Sequence, residues 1–111
     1  MMDAVTGTLM RIFLDESDRH GNQPLYVAVV EALRRLGCSG ATVFKGIEGY
    51  GSHHQVHSAR VFDVSTNMPV LIEVVGDEQQ IAGVIPSLRD LIPEGLITLE
   101  KIQMIVLRGT H

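Results

Sequence analysis

The residues best suited to chemistry fall in one stretch, Lys45-Gly46-Ile47-Glu48-Gly49-Tyr50-Gly51-Ser52-His53-His54-Gln55-Val56-His57-Ser58-Ala59-Arg60. Glycine lets backbone approach a ligand closely or take a positive φ. Histidine titrates and binds metals near neutral pH. The planar guanidinium of Arg60 matches phosphate or carboxylate. The spacing of Gly46, Gly49 and Gly51 fits neither common phosphate motif: no Gly-Lys-Ser/Thr is present, and no helix follows to offer its N-terminus. Ligand contact and plain loop geometry, a bulged strand end, stay equally open from spacing alone.

His53, His54 and His57 offer imidazoles to a transition metal. In an extended segment His53 and His57 share a face, too far apart for one ion unless the loop folds back. The tight paired spacing of zinc sites is missing, so a solvated loop is the stronger reading and metal binding the alternative. Arg60 has a plainer role open to it, a surface ion pair with Glu73. Asp15, Glu16 and Asp18 lack the Gly-x₅-Glu of a calcium loop and read as a solvated or capping loop. Cys38, in Gly37-Cys38-Ser39-Gly40, reads as a small residue packed at a turn. No Ser-His-Asp or Cys-His arrangement is present, so the chain reads as non-enzymatic.

The elements that must position these residues alternate along one expected domain, 1–111. A first strand is expected over 8–14 and a polar loop over 15–22. Leu25, Ala28, Val29, Ala32, Leu33 and Leu36 then form one buried helical stripe. Asn22 is the expected N-cap, Pro24 suits the first turn and Gly37 the position just past the end. Strands follow over 41–48, 58–65 and 70–75, the last two as a hairpin. A second helix starts at Asp77, with Gln80 completing a capping box. Its stripe is Ile81, Val84, Ile85, Leu88, Leu91 and Ile92, and Pro86 inside it should kink or split it. A last strand spans about 96–107. Two β-α-β units with right-handed crossovers place both helices on one face of a mainly antiparallel sheet, an α+β ferredoxin-like sandwich with one additional hairpin strand.

That architecture leaves a sheet face uncovered. Leu9 and Phe13 oppose Met10, Ile12 and Leu14 on the first strand, and Leu71 and Val75 oppose Val70, Ile72 and Val74 on the fourth. Both faces are apolar, and monomers rarely expose more than a few hundred Å² of contiguous apolar surface. Self-association through the second face is the simplest solution; the hairpin folding over it is the other. The chain is 45% hydrophobic with a net charge of −4, which argues against nucleic acid as a partner. Aromatics are only 5% and Trp is absent, so a base-stacking platform is not expected. One cysteine, no basic n-region at Met1-Met2-Asp3 and no long apolar run read as a cytoplasmic protein with no membrane insertion.

Several motifs, in this order, resemble one family. They are Glu16-Ser17-Asp18-Arg19-His20-Gly21, Pro24-Leu25-Tyr26, Gly40-Ala41-Thr42-Val43, Gly46-Ile47-Glu48-Gly49-Tyr50-Gly51, His57-Ser58-Ala59-Arg60 and Pro69-Val70-Leu71-Ile72-Glu73-Val74. Over nearly the whole chain they look like the uncharacterised PII-like family, domain of unknown function one-ninety, related to the PII nitrogen-regulatory signalling proteins. The resemblance implies a ferredoxin-like fold and a homotrimer. PII proteins bind adenine nucleotides in clefts between subunits and control partners, membrane transporters among them, through a loop between the second and third strands. Gly49-Tyr50-Gly51 resembles the Gly-Phe-Gly that opens that loop. By that resemblance a small anionic ligand would sit near Gly49, Tyr50, Gly51, Ser52, His57 and Arg60, and the 50–57 loop would carry the signal. Two departures stand out. Ser52 to His57 is far shorter than the PII loop, and Pro93-Glu94-Gly95-Leu96 is acidic and apolar where PII carries glycine and lysine. The related CutA-like divalent-cation-tolerance proteins share the fold and trimer, which keeps His53, His54 and His57 as an alternative metal set.

Overall fold

The computed structural model describes residues 3–50, the backbone of 57–58, and 67–109. In chain order the elements are β1 (Val5–Asp15), β2 (Arg19–His20), β3 (Gln23–Pro24), α1 (Leu25–Arg35), β4 (Ala41–Lys45), β5 (Glu48–Gly49), β6 (His57–Ser58), β7 (Pro69–Gly76), α2 (Glu78–Leu91) and β8 (Leu96–Met104). Four strands form one sheet in the order β4-β7-β1-β8, every neighbouring pair antiparallel. This is the ferredoxin-like arrangement. β1 is central and alternates, so Met10, Ile12 and Leu14 point at the helices and are buried. They meet Val70, Ile72 and Val74 of β7, Leu25, Val29 and Leu33 of α1, and Ile81, Val84 and Leu88 of α2 in one core. Each such side chain contributes about 1.5–3 kcal/mol of hydrophobic burial.

The helices differ from expectation in detail. Asn22 is not the N-cap of α1. Arg19 and His20 pair with Pro24 and Gln23 in a short hairpin whose turn is Gly21-Asn22, with Gly21 at φ 61°. Pro24 occupies the cap position, and the Leu25 N–H donates to the Asp18 carbonyl at 2.7 Å. The other end is as read. Gly37 takes φ 92°. Its N–H reaches the Arg34 carbonyl while the Cys38 N–H reaches that of Leu33, the paired bonds of a Schellman ending.

Asp77 caps α2, its side chain accepting from the Gln80 N–H at 2.7 Å. The side-chain amide nitrogen of Gln80 donates to the Gly37 carbonyl at 2.5 Å. That bond ties the start of α2 to the end of α1. Pro86 does not split the helix, which runs unbroken from Glu78 to Leu91. Ala82, Gly83 and Pro86 all face solvent, where water can take the carbonyl that proline leaves unpaired.

β4 stops at Lys45, not 48, and β8 stops at Met104, leaving Ile105, Val106 and Leu107 exposed beyond the ladder. The strand expected over 58–65 lies outside the described residues except for Ser58. The second sheet face is as the alternation demands. Residues directly opposite in the ladders share a face, so Phe44, Leu71, Phe13 and Leu96 line up as one apolar row across all four strands. The next row is Thr42, Glu73, Arg11 and Thr98. Phe13, Phe44, Val75 and Leu96 are exposed on this face.

Candidate functional site

One end of the sheet gathers the residues that matter. The β1–α1 loop is tied down there by its own backbone and by the turn ahead of β7. The Asp15 N–H donates to Asp18 Oδ2 at 2.9 Å, and the Asp18 N–H donates to the Asp15 carbonyl at 3.0 Å. The Glu16 N–H donates to the Met68 carbonyl at 2.8 Å, and Ser17 Oγ donates to Asn67 Oδ1 at 2.5 Å. Lys45 Nζ lies 3.3 Å from Glu16 Oε2. Asp15, Glu16 and Asp18 therefore form a capping loop, the plainer of the two sequence readings.

The glycines that open the next segment have a visible packing reason. A Cβ on Gly46 would stand 2.7 Å from Pro69 Cγ and 3.2 Å from the Pro69 carbonyl oxygen. One on Gly49 would stand 3.1 Å from the same Cγ. The Gly46 N–H donates to the Pro69 carbonyl at 2.7 Å. Close approach to Pro69, a strand-end feature, thus accounts for both. Gly49 also pairs with His57, and Glu48 with Ser58, so the backbone of the expected site closes on itself at this point.

Between these segments lies a cavity of about 460 Å³. Phe13, Leu14 and Asp15 of β1 line it, with Asp18, Tyr50, Pro69, Val70, Glu94, Gly95 and Leu96. Gly95 sits hard against β1: a Cβ there would stand 3.0 Å from Leu14 Cδ2 and 3.1 Å from the Phe13 carbonyl oxygen. The walls are apolar, and their side-chain polar groups are the carboxyls of Asp15, Asp18 and Glu94 and the phenol of Tyr50. Such walls suit a flat apolar body carrying N–H or O–H donors.

Of the residues singled out from sequence, Gly49, Tyr50 and the backbone of His57 are brought together here. Gly51, Ser52, His53, His54, Arg60 and the His57 side chain lie outside the described residues. Glu73, suggested as a partner for Arg60, pairs with Arg11, whose Nε donates to Oε2 at 3.0 Å; the Arg60 side of that expectation lies outside the described residues. Sequence reasoning missed Phe13, Asp15, Asp18, Pro69, Glu94, Gly95 and Leu96 as cavity residues. They sit at element ends that only the strand order brings to one edge. Among the described residues no three His, Cys, Asp or Glu side chains are grouped to hold a metal ion. Burial pushes the Cys38 thiol up from its ordinary pKa, the opposite of what an activated nucleophile needs. Among the described residues no helix is long and apolar enough to cross a membrane.

A UPF0166 protein of Aquifex aeolicus (strain VF5) is 32% identical over 106 residues, covering 96% of this chain and all of that one. Among solved structures, CPII of Thiomonas intermedia K12 is similar in fold. It is a nitrogen regulatory PII-like protein bound to ADP, AMP and bicarbonate, and it superposes with a TM-score of 0.70. It is 16% identical, and the match covers 94% of this chain and 92% of that one. The divalent ion tolerance protein CutA1 of Ehrlichia chaffeensis matches at a TM-score of 0.57 and 10% identity, over 92% of this chain and 84% of that one. Residues 7–104 match the DUF190 family, Uncharacterized ACR, COG1993. The chain therefore belongs to the DUF190 family and has the fold of PII-like proteins.

Proposed function

We propose that the protein is a non-enzymatic, PII-like regulatory trimer that senses an adenine nucleotide at the strand-end cavity and signals through the 50–57 loop. The observation that carries this reading is the cavity itself. Its apolar walls accept a purine, and the carboxyls of Asp15, Asp18 and Glu94 accept hydrogen bonds from the exocyclic amine or the ribose hydroxyls. Carboxyl groups repel phosphate, so the anionic end points away from them; Gly49, Tyr50, Gly51, Ser52, His57 and Arg60 are the residues proposed to receive it. Arg60 and the glycine-rich backbone would supply donors to the phosphates. Binding then shifts the loop between two arrangements through its different affinity for each, and a partner such as a membrane transporter reads the result. The nucleotides bound to CPII support this choice of ligand.

A thermal-shift series with AMP, ADP, ATP and dinucleotides tests the reading. A ligand at 100 times its Kd stabilises by about 2.7 kcal/mol, and Tyr50→Ala should weaken that shift. If no nucleotide moves the midpoint, the proposal falls. The CutA1 likeness supports a second reading, metal binding at His53, His54 and His57. Isothermal titration with zinc and copper should then give heat in the wild type and none in a triple His→Ala variant.

A further inference from the structure

A cation stands beside the strand-end cavity that neither its walls nor the phosphate contacts proposed above include. Lys45, the last residue of β4, pairs with Val70 of β7, and Val70 pairs with Leu14 of β1. Residues opposite one another in a ladder share a face. Lys45 therefore leaves the sheet on the same side as Leu14 and Val70, both of which line the cavity. Its backbone is fixed against a third wall residue, because the next N–H, that of Gly46, donates to the Pro69 carbonyl at 2.7 Å. The other described cations on strands lie elsewhere. Arg11 stands between Glu73 and Thr98, Lys101 opposite Thr8, and Arg19 in the β2–β3 hairpin with Nη2 on the Asn22 carbonyl.

The Lys45 side chain is held in place without being used up. Nζ lies 3.3 Å from Glu16 Oε2, and the lysine side chain keeps 55% of its surface exposed. Glu16 is itself anchored: its N–H donates to the Met68 carbonyl at 2.8 Å, and its Oε1 accepts from the Met68 N–H at 3.4 Å. An ammonium has three donors. The contact with Glu16 takes one and leaves two for water or a ligand. A side chain already anchored loses less rotamer freedom when a ligand binds. The charged side chains of the described wall are the carboxyls of Asp15, Asp18 and Glu94, so a phosphate entering this end needs a cation to offset them. We propose that Lys45 is a phosphate-binding residue of the cavity, donating to a nucleotide phosphate while Glu16 holds its ammonium at the cavity's flank. The inference rests on the nucleotide reading above and adds to it a cation on a described strand.

The test is isothermal titration of the full chain with adenosine, AMP and ADP. The wild type should bind ADP more tightly than adenosine. Lys45→Met removes the charge and keeps most of the stem. It should cut the preference for ADP over adenosine about tenfold or more, the usual worth of a charge-assisted hydrogen bond. Lys45→Arg should keep most of that preference. Circular dichroism checks that each variant is folded, and Lys45→Gln takes the place of Lys45→Met if the latter unfolds. A loss of ADP and adenosine affinity in equal measure would mark Lys45 as structural and overturn the assignment. An undiminished preference in Lys45→Met, or a wild type that binds adenosine as tightly as ADP, overturns it too, and both leave the nucleotide reading standing. A wild type that binds none of the three overturns that reading and this assignment together.

Discussion

Gly46 and Gly49 show how one neighbour can decide a residue. Both lie against Pro69, and a methyl group on Gly46 would meet that ring at 2.7 Å and its carbonyl at 3.2 Å. The backbone cannot yield there without losing the bond from the Gly46 N–H to the Pro69 carbonyl. Gly46→Ala should therefore destabilise by about 1–3 kcal/mol, the usual cost of overpacking. Gly83 makes the contrast. It sits mid-helix in α2 with open space where a Cβ would go, and Gly83→Ala should stabilise by about 0.5–1 kcal/mol. Urea unfolding of the two variants checks both signs. The sequence marked Gly46 and Gly49 as positions where backbone comes close to something. It could not say what, because Pro69 is distant in sequence and the ladder register decides the encounter. The cavity residues were illegible for the same reason: Phe13 and Glu94 become neighbours only through strand order.

At the scale of elements, periodicity carried most of the information. The stripe from Leu25 to Leu33 is buried as spaced, and so are Ile81, Val84 and Leu88. Leu36, assigned to the same stripe, is exposed because the helix ends beneath it. End signals were less faithful. Gly37 and Asp77 act as their residue types suggest, but Asn22 went to a hairpin turn, where Arg19 Nη2 donates to its carbonyl at 2.6 Å. Gln80 serves a partner on the other helix, which no local motif encodes. The two roles at the start of α2 separate by mutation. Asp77→Ala should cost about 1 kcal/mol through the lost cap. Gln80→Ala should cost about 0.5–1.5 kcal/mol through the lost bond to the Gly37 carbonyl. Since the Asp77 side chain accepts from the Gln80 backbone and not from its amide, the two losses should add in a double variant, as chemical denaturation would show.

For the whole molecule, alternation in β1 and β7 marks two apolar faces, and the helices cover one of them. What alternation did not reveal was the polar row set into the second face. Arg11 meets Glu73 directly across the ladder and Glu100 on the diagonal. Its pKa is raised, chiefly by the hydrogen bond to Glu73, so its charge is present throughout the working pH range.

Phe13 and Leu96 belong both to the apolar row and to the cavity wall. A ligand in the cavity and a copy docked on the face would therefore press on the same two side chains. Two binding events that share atoms are thermodynamically linked, and the factor by which one aids the other must be returned in full. Saturating nucleotide should shift the concentration at which the assembly half-dissociates, and dilution should shift nucleotide affinity in the corresponding sense. Titrations at two protein concentrations an order of magnitude apart would show it. The abundance of the protein would then itself act as an effector of its ligand affinity.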